Sequence, residues 1–338
     1  MRTATKQLAL ILSLVLLAQA GQSPRKPAPA PARWLGLIGE YGTDTEILYI
    51  LEKDGKLCAS FKRAQPEPLR EISRNVFAYT FGQLAGQNVV FTRDRTGRAT
   101  QVTILGAALQ RRRIEPEAGA NQLRVPPVRP VPELLKEALA AKPPAETRDF
   151  LKSDLVELIK LDPTIRLDVR YATTNNLFGT VFYSEPRAFL QRPAAEALVR
   201  VSSKLKSQGY GLLVHDAYRP WYVTKVFWDA TPADKKLFVA DPSKGSRHNR
   251  GCAVDITLYE LQTKRVVQMV STYDETTDRA YPNYPGGTSL QRWHRDLLRA
   301  AMEAEGFTVY EAEWWHFDYK DWQKYPIQNI PFNQISNK

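Results

Sequence analysis

Two short segments, far apart in the chain, constrain what this sequence can fold into more than anything else in it. The first reads Ser246-Arg247-His248-Asn249-Arg250-Gly251-Cys252-Ala253-Val254-Asp255 and sets an imidazole seven residues before a carboxylate. The second, Glu313-Trp314-Trp315-His316, adds another carboxylate and another imidazole. Two histidines and an aspartate suit Zn²⁺ and leave its fourth position open. The remaining glutamate is then placed to act as a base on water. Any fold that uses these groups together must bring the two segments side by side.

The local reading of each segment sets further conditions. His248 lies in a polar, glycine-flanked loop, and Asp255 lies in an apolar stretch, residues 252–259, that reads as a strand. Gly251 permits the turn that folds the loop back onto the strand. Glu313 and His316 are three residues apart and would face opposite sides of a flat strand. The pair therefore predicts a bend or bulge, a common device beside active sites. Against this stands the plainer reading that a buried histidine beside an acid only supports packing. With four histidines in the chain, two of them with two acids in two short segments favour the metal reading. His215 and His294 are assigned structural and packing roles.

The N-terminus carries the pattern of an export signal. Arg2 and Lys6 precede an apolar run at 8–17, and Ala18-Gln19-Ala20 forms a small-residue cleavage site. The run is short for a membrane span, and no cysteine follows for a lipid anchor, so no stable membrane anchor is expected once residues 1–20 are removed. Cleavage would reduce the net charge of +11 to +9 by removing Arg2 and Lys6. A basic exported protein could be drawn to an anionic cell-wall polymer, or could merely have a charged surface. Nothing resembles a nucleic-acid recognition motif. Cys58 and Cys252 each sit in a strand-like run and read as two buried thiols, with no Cys-x-x-Cys cluster.

A length of 338 residues suggests about two domains. Residues 21–33 form a proline- and alanine-rich leader. Residues 34–110 alternate like strands, with Asp54-Gly55 marking a hairpin, and predict a small antiparallel β domain, curved or barrel-like. Strands are expected over 46–51, 56–61, 76–81, 88–92 and 98–105. Residues 111–146 read as a proline-rich linker containing a short helix over 133–141. A second domain over 147–338 is then α+β. It is expected to contain strands at 167–171, 211–215, 252–259, 266–270 and 307–310, and helices at 193–208 and 290–305. Arg219 follows the strand ending at His215. It reads either as a surface arginine paired with Asp216 or as a cleft residue that Asp216 orients. Its fixed charge and forked donors suit an oxyanion.

The motifs Ser246-x-His248-x-x-Gly251-x-Ala253-x-Asp255 and Glu313-x-x-His316 resemble those of the D-alanyl-D-alanine dipeptidases (VanX type), within the wider family M15 of zinc DD-peptidases. The likeness extends to residues 168–176 and 209–220 and spans roughly 150–330. It implies a zinc DD-peptidase-like domain with a central antiparallel sheet and helices. It further implies His248, Asp255 and His316 as ligands of one Zn²⁺, Glu313 as general base and Arg219 as transition-state stabiliser. The substrate would be the D-Ala-D-Ala dipeptide or a peptidoglycan-derived peptide, with Asp274 holding its ammonium group and Ser246 and Tyr171 helping to place it. Two departures stand out. Arg247 occupies a position usually held by a small serine beside the substrate, and Val270 follows Met269 where glycine is usual. The alternatives are a DD-carboxypeptidase or peptidoglycan endopeptidase with the same metal, and a non-catalytic wall-binding protein. The role of residues 34–110 stays open between binding, spacing and stabilising.

Overall fold

The computed structural model describes residues 25–61, 64–112 and 124–335. The expected export signal lies outside the described residues. Among the described residues, no helix is long and apolar enough to cross a membrane.

After a single helical turn, α1 (Ala32–Leu35), eight strands follow one another as an antiparallel meander. These are β1 (Gly39–Gly42), β2 (Ile47–Lys53), β3 (Lys56–Phe61), β4 (Glu67–Ser73), β5 (Val76–Tyr79), β6 (Asn88–Arg93), β7 (Ala99–Ile104) and β8 (Ala107–Gln110). A bridge from Tyr41 to Arg111 links the first strand to the end of the last, so the sheet is a nearly closed barrel. The Asp54-Gly55 hairpin forms as expected, with positive φ at both residues and Lys53 opposite Lys56. Strands β1 and β8, of four residues each, and β4, mostly exposed, carry weak alternation and escape sequence reading.

Strand β2 explains how the barrel joins the rest of the chain. Leu48 and Ile50 point into the barrel core, with Phe77, Val89 and Phe91. Ile47, Tyr49 and Leu51 point the other way, into a core shared with the C-terminal half. A strand buried on both faces reads as a continuous apolar run, which is what Ile-Leu-Tyr-Ile-Leu is. Cys58 and Cys252 are free, buried thiols in that same shared core.

The stretch expected as a linker contributes α2 (Val131–Ala140). Its Val131, Leu134 and Ala138 pack with Val223, Val226 and Phe227 in a second core. Next come β9 (Leu155–Glu157), α3 (Leu158–Leu161), β10 (Arg166–Leu167), β11 (Phe189–Gln191) and α4 (Arg192–Lys206). They are followed by β12 (Tyr210–Asp216), α5 (Trp221–Ala230), β13 (Ala253–Glu260), α6 (Ser289–Glu303), β14 (Phe307–Tyr310) and β15 (Glu313–Tyr319). The main sheet has the order β10-β12-β13-β15-β14, antiparallel except for the β10/β12 pair. Strands β9 and β11 form a separate ladder.

Helix α4 buries Leu198, Val201 and Leu205 along one stripe and stops before Gly209, whose φ is +87°. Helix α6 begins with a capping box between Thr288 and Gln291. Two expected strands are not formed. Of residues 167–171, only Leu167 is in a strand and Arg170–Ala172 is a 3-10 turn. Over 266–270, Val266 alone pairs, with Tyr259. There the apolar residues Val267, Met269 and Val270 fill the core from an irregular path that leads Tyr273 towards Asp255.

Candidate metal and catalytic site

Three neighbouring strands place Asp216, Asp255 and His316 in one row. Asp216 is opposite Asp255 across β12 and β13, and Asp255 is opposite His316 across β13 and β15. Val214 and Ile256 are also paired, and both face the core under α4 and α6. In a regular strand Asp216 would share the face of Val214. A register shift between Val214 and Asp216 turns it to the face of Asp255 instead. A second irregularity serves Glu313. The ladder passes from Val309 opposite Phe317 to Tyr310 opposite Glu313. This bulge puts Glu313 and His316 on the same side, as their spacing required.

His248 reaches the row from a 3-10 turn, His248–Arg250, ended by Gly251 at φ +68°. The positive φ favours glycine, and a Cβ there would lie 2.5 Å from Leu155 Cδ2, so the leucine side chain would also have to move. Asn249 ties this turn down. Its Nδ2 donates to Arg219 O at 2.8 Å and to Thr224 Oγ1 at 2.9 Å, and its Oδ1 accepts from Ser246 N at 2.7 Å.

The ligand atoms of His248, Asp255 and His316 lie within 4.8 Å of one another, and all three residues are buried. His248 Nδ1 is 2.6 Å from Ala217 O, which only accepts, so Nδ1 carries the proton and Nε2 faces the cluster. His316 Nε2 is 2.9 Å from Asp318 Oδ1, which directs its Nδ1 inward. The two inward nitrogens are 3.1 Å apart, and Asp255 Oδ1 lies 3.0 Å from His316 Nδ1 and 3.3 Å from His248 Nε2. With the outer nitrogens committed to acceptors, neutral imidazoles turn two lone pairs and a carboxylate oxygen onto one point. That donor set fits a divalent cation. At His316 burial opposes a positive charge, but Asp318 and Asp255 outweigh it and raise its pKa well above the usual imidazole value.

Glu313 stands beside the cluster, its Oε2 3.8 Å from His316 Nδ1. Burial raises its pKa, His316 opposes this, and Asp255 and Asp274 reinforce it. A carboxylate in such surroundings accepts a proton readily. Arg219 faces the cluster from the end of β12. Its Nε and Nη2 each lie 2.8 Å from Asp216 Oδ2, and Nη2 is 3.8 Å from Asp255 Oδ2. Its guanidinium is held between the rings of Tyr171 and Phe227, at 5.2 and 4.9 Å. Tyr171 donates to Asp274 Oδ2 at 2.8 Å. Asp274 adopts the left-handed conformation at φ +59°, which short polar side chains tolerate. Ser246 is buried, and its Oγ accepts from His248 N at 3.2 Å. Arg247, the departure noted in the sequence, lies over Trp322 at 4.8 Å with its Nε 3.4 Å from Asp318 Oδ2. A small cleft of 110 Å³ brings Ser246, His248, Asp255, Asp274, Glu313 and His316 together with Arg219 and Tyr171. Asp216 lies behind it, buried against Arg219.

Sequence reasoning missed the residues that aim the ligands. Tyr273 donates to Asp255 Oδ2 at 2.9 Å, leaving Oδ1 for the cluster, and stacks on His215 at 4.5 Å. Tyr183 donates to Asp216 Oδ1 at 2.7 Å. Asp318 was findable, since it lies two residues beyond His316 on the same strand face. Tyr273 and Tyr183 lie on irregular segments, where no periodicity points to them.

A carboxylate and an arginine beside a buried His/Asp/His group are an arrangement suited to hydrolysis of a polar bond, and similarity to known proteins gives the class. Residues 152–335 match the peptidase M15 family, described as D-ala-D-ala dipeptidase. That match covers more than half of the chain, which belongs to this family and is a hydrolytic peptidase. The D-alanyl-D-alanine dipeptidase of Escherichia coli (strain K12) is 31% identical over 175 residues, 52% of this chain and 89% of that protein. The D-alanyl-D-alanine dipeptidase of Enterococcus faecium is 34% identical over 186 residues, 50% of this chain and 92% of that protein. The counterpart from Enterococcus faecalis (strain ATCC 700802 / V583) is 33% identical over 183 residues, 48% of this chain and 89% of that protein. A solved structure titled crystal structure of SurE overlaps 32% of this chain and 26% of its own at a TM-score of 0.21 and 16% identity, too weak a likeness to bear on the fold.

Proposed function

We propose that the protein hydrolyses the D-Ala-D-Ala dipeptide with one Zn²⁺ held by His248, Asp255 and His316. The observation that carries this reading is the convergence of these three ligand atoms beside a half-buried Glu313 and opposite a guanidinium. The relatives named D-alanyl-D-alanine dipeptidase support the substrate. When bound, zinc would supply Lewis acidity, polarising the scissile carbonyl and making water acidic enough to attack near neutral pH.

The chain's own groups do the rest. Glu313 takes the proton from the attacking water at a carboxylate oxygen and later delivers it to the leaving amine. Arg219 keeps its charge throughout and offers N–H donors to the oxygen that becomes negative. Asp216 and the flanking Tyr171 and Phe227 rings hold that guanidinium in place. Asp274 pairs with the substrate ammonium, Tyr171 fixes the Asp274 carboxylate, and Ser246 shapes the same wall. We further read the chain as exported, acting on cell-wall fragments outside the cytoplasm.

The test compares free D-Ala-D-Ala with an N-acylated stem peptide by mass spectrometry of the products. Cleavage of the free dipeptide, lost in Glu313→Ala, is expected. Cleavage of the acylated peptide alone would make the protein a carboxypeptidase or endopeptidase, and cleavage of neither would leave a non-catalytic binder.

A further inference from the structure

The C-terminal carboxylate of a peptide substrate is best met by a guanidinium, and two arginines line the cleft, Arg219 and Arg247. Arg219 is already engaged. Its Nε and Nη2 both lie on Asp216, and the rings of Tyr171 and Phe227 flank it. It also stands on the side of the cleft where Tyr171 fixes Asp274, the carboxylate assigned to the substrate ammonium.

Arg247 is placed differently. It directly precedes His248, and its backbone oxygen accepts from Arg250 N and Cys252 N, both at 3.1 Å, so it is anchored in the same turn as that ligand. Its guanidinium lies over the Trp322 ring at 4.8 Å, with Nε 3.4 Å from Asp318 Oδ2. Asp318 in turn holds the outer nitrogen of His316. Ring and carboxylate together keep the guanidinium on the His316 side of the cleft. Its charge is felt at Tyr310 on the cleft wall, where burial and Glu313 raise the pKa of the hydroxyl and Arg247 lowers it. Asp318 answers the charge of Arg247 but few of its N–H groups. Nε is buried without a hydrogen bond, and neither Nη group makes one among the described residues. The side chain is 43% exposed, so a substrate can reach it. A guanidinium presents its donors in a rigid fork that a second carboxylate can share.

We propose that Arg247 receives the C-terminal carboxylate of the substrate. Asp274 and Arg247 then complement the two charged ends of a free dipeptide, and Glu313 and the ligand cluster serve the bond between them. The assignment rests on the peptidase reading given above, but not on the dipeptide in particular. An acylated stem peptide cut before its last residue also ends in a free carboxylate. What Arg247 demands is that the residue released carry that carboxylate, which makes the protein an enzyme of peptide ends and not of cross-links.

The test pairs D-Ala-D-Ala and an acylated stem peptide each with its C-terminal amide, which keeps the shape and removes the charge. Binding is read by titration calorimetry on the zinc-loaded Glu313→Gln protein, and kcat and KM on the protein with Glu313 intact. The amide is expected to bind about 10–100-fold more weakly than the acid, the range for hydrogen bonds to a charged group. Arg247→Gln should weaken the acid by a similar factor, mainly in KM, and leave the amide within about twofold. If Arg247→Gln loosens Asp318 and loses zinc, Arg247→Lys keeps the charge and gives up only the fork, and it should weaken the acid alone by about threefold. Equal losses for acid and amide would make Arg247 a mere support for Asp318 and overturn the proposal, as would no loss for either. If only the stem peptide is cleaved, the dipeptide reading falls while the comparison of acid with amide still decides the role of Arg247. If neither peptide is bound or cleaved, both readings fall.

Discussion

Asp255 is held from two directions, by Tyr273 at one carboxylate oxygen and by the two imidazoles at the other. Groups that orient metal ligands typically matter ten- to a hundredfold in metal affinity. Tyr273→Phe should therefore weaken zinc binding by about 10–100-fold with little change in fold, measured by competition with a chromophoric chelator. Unchanged affinity would mean the hydroxyl only fills space. Glu313→Gln keeps the shape of the side chain and removes its basicity. It should cut turnover by a thousandfold or more while zinc content, measured by mass spectrometry, stays at one per chain. Arg219→Ala should retain zinc and lose about 10²–10³ in turnover. His294 offers a test unrelated to catalysis. It is buried against Tyr210, 3.0 Å from its hydroxyl, and burial depresses its pKa to about 4. The unfolded chain therefore takes up its proton first, near the ordinary value of about 6.5, so stability is fully present above that pH and is lost as pH falls towards 4. Denaturant midpoints between pH 7 and 4.5 should show roughly 2 kcal/mol of this loss, and His294→Gln should flatten it.

Among the elements, the turn before β13 is the most demanding. Gly251 combines φ +68° with a Cβ position 2.5 Å from Leu155 Cδ2. Gly251→Ala would force either the left-handed conformation or a shift of the turn, costing about 1–3 kcal/mol. Because His248 begins that turn, the shift should also move its imidazole. We expect a lower melting temperature together with zinc affinity reduced at least tenfold. A variant that melts early but binds zinc normally would uncouple the two. Strand β15 shows the other route by which an element makes a site. Its bulge departs from a period that would have set Glu313 against His316, and the widened ladder is what allows both to face the cleft.

At the scale of the molecule, barrel and peptidase unit are joined by buried polar contacts as well as by apolar packing. Glu52, on β2, is buried and accepts from Ser289 N at 2.7 Å, capping the first turn of α6 from the other unit. Its backbone oxygen accepts from Arg292 Nη2 at 2.7 Å. Glu40 accepts from Tyr284 at 2.8 Å and pairs with Arg112. Glu52→Ala removes the carboxylate that accepts from Ser289 N and Gly55 N and should cost about 1–3 kcal/mol. Calorimetry is expected to show one transition for the unaltered chain and, for the variant, a lower melting temperature or two separated transitions. An unchanged single transition would mean that the apolar contacts of Ile47, Tyr49 and Leu51 hold the junction unaided.

By itself, the order of residues determined what is local. It set the Asp54-Gly55 hairpin, the amphipathic helices α4 and α6, and the presence of two histidines and two acids in segments of the right chemistry. The need for an irregularity between Glu313 and His316 was legible too, because side-chain direction follows from a period of two. Resemblance to the dipeptidases supplied the grouping of those residues with Arg219. Tertiary structure alone decided the rest. The shift in β12 that swings Asp216 towards Asp255, the tyrosines that aim the ligands, the irregular path of residues 266–270, the packing of α2 onto α5 and the docking of the barrel through both faces of β2 all depend on neighbours distant in the chain. A periodic pattern records which face of an element is buried. It does not record what lies against that face, and that is where the aim of each ligand and the joining of the two units are decided.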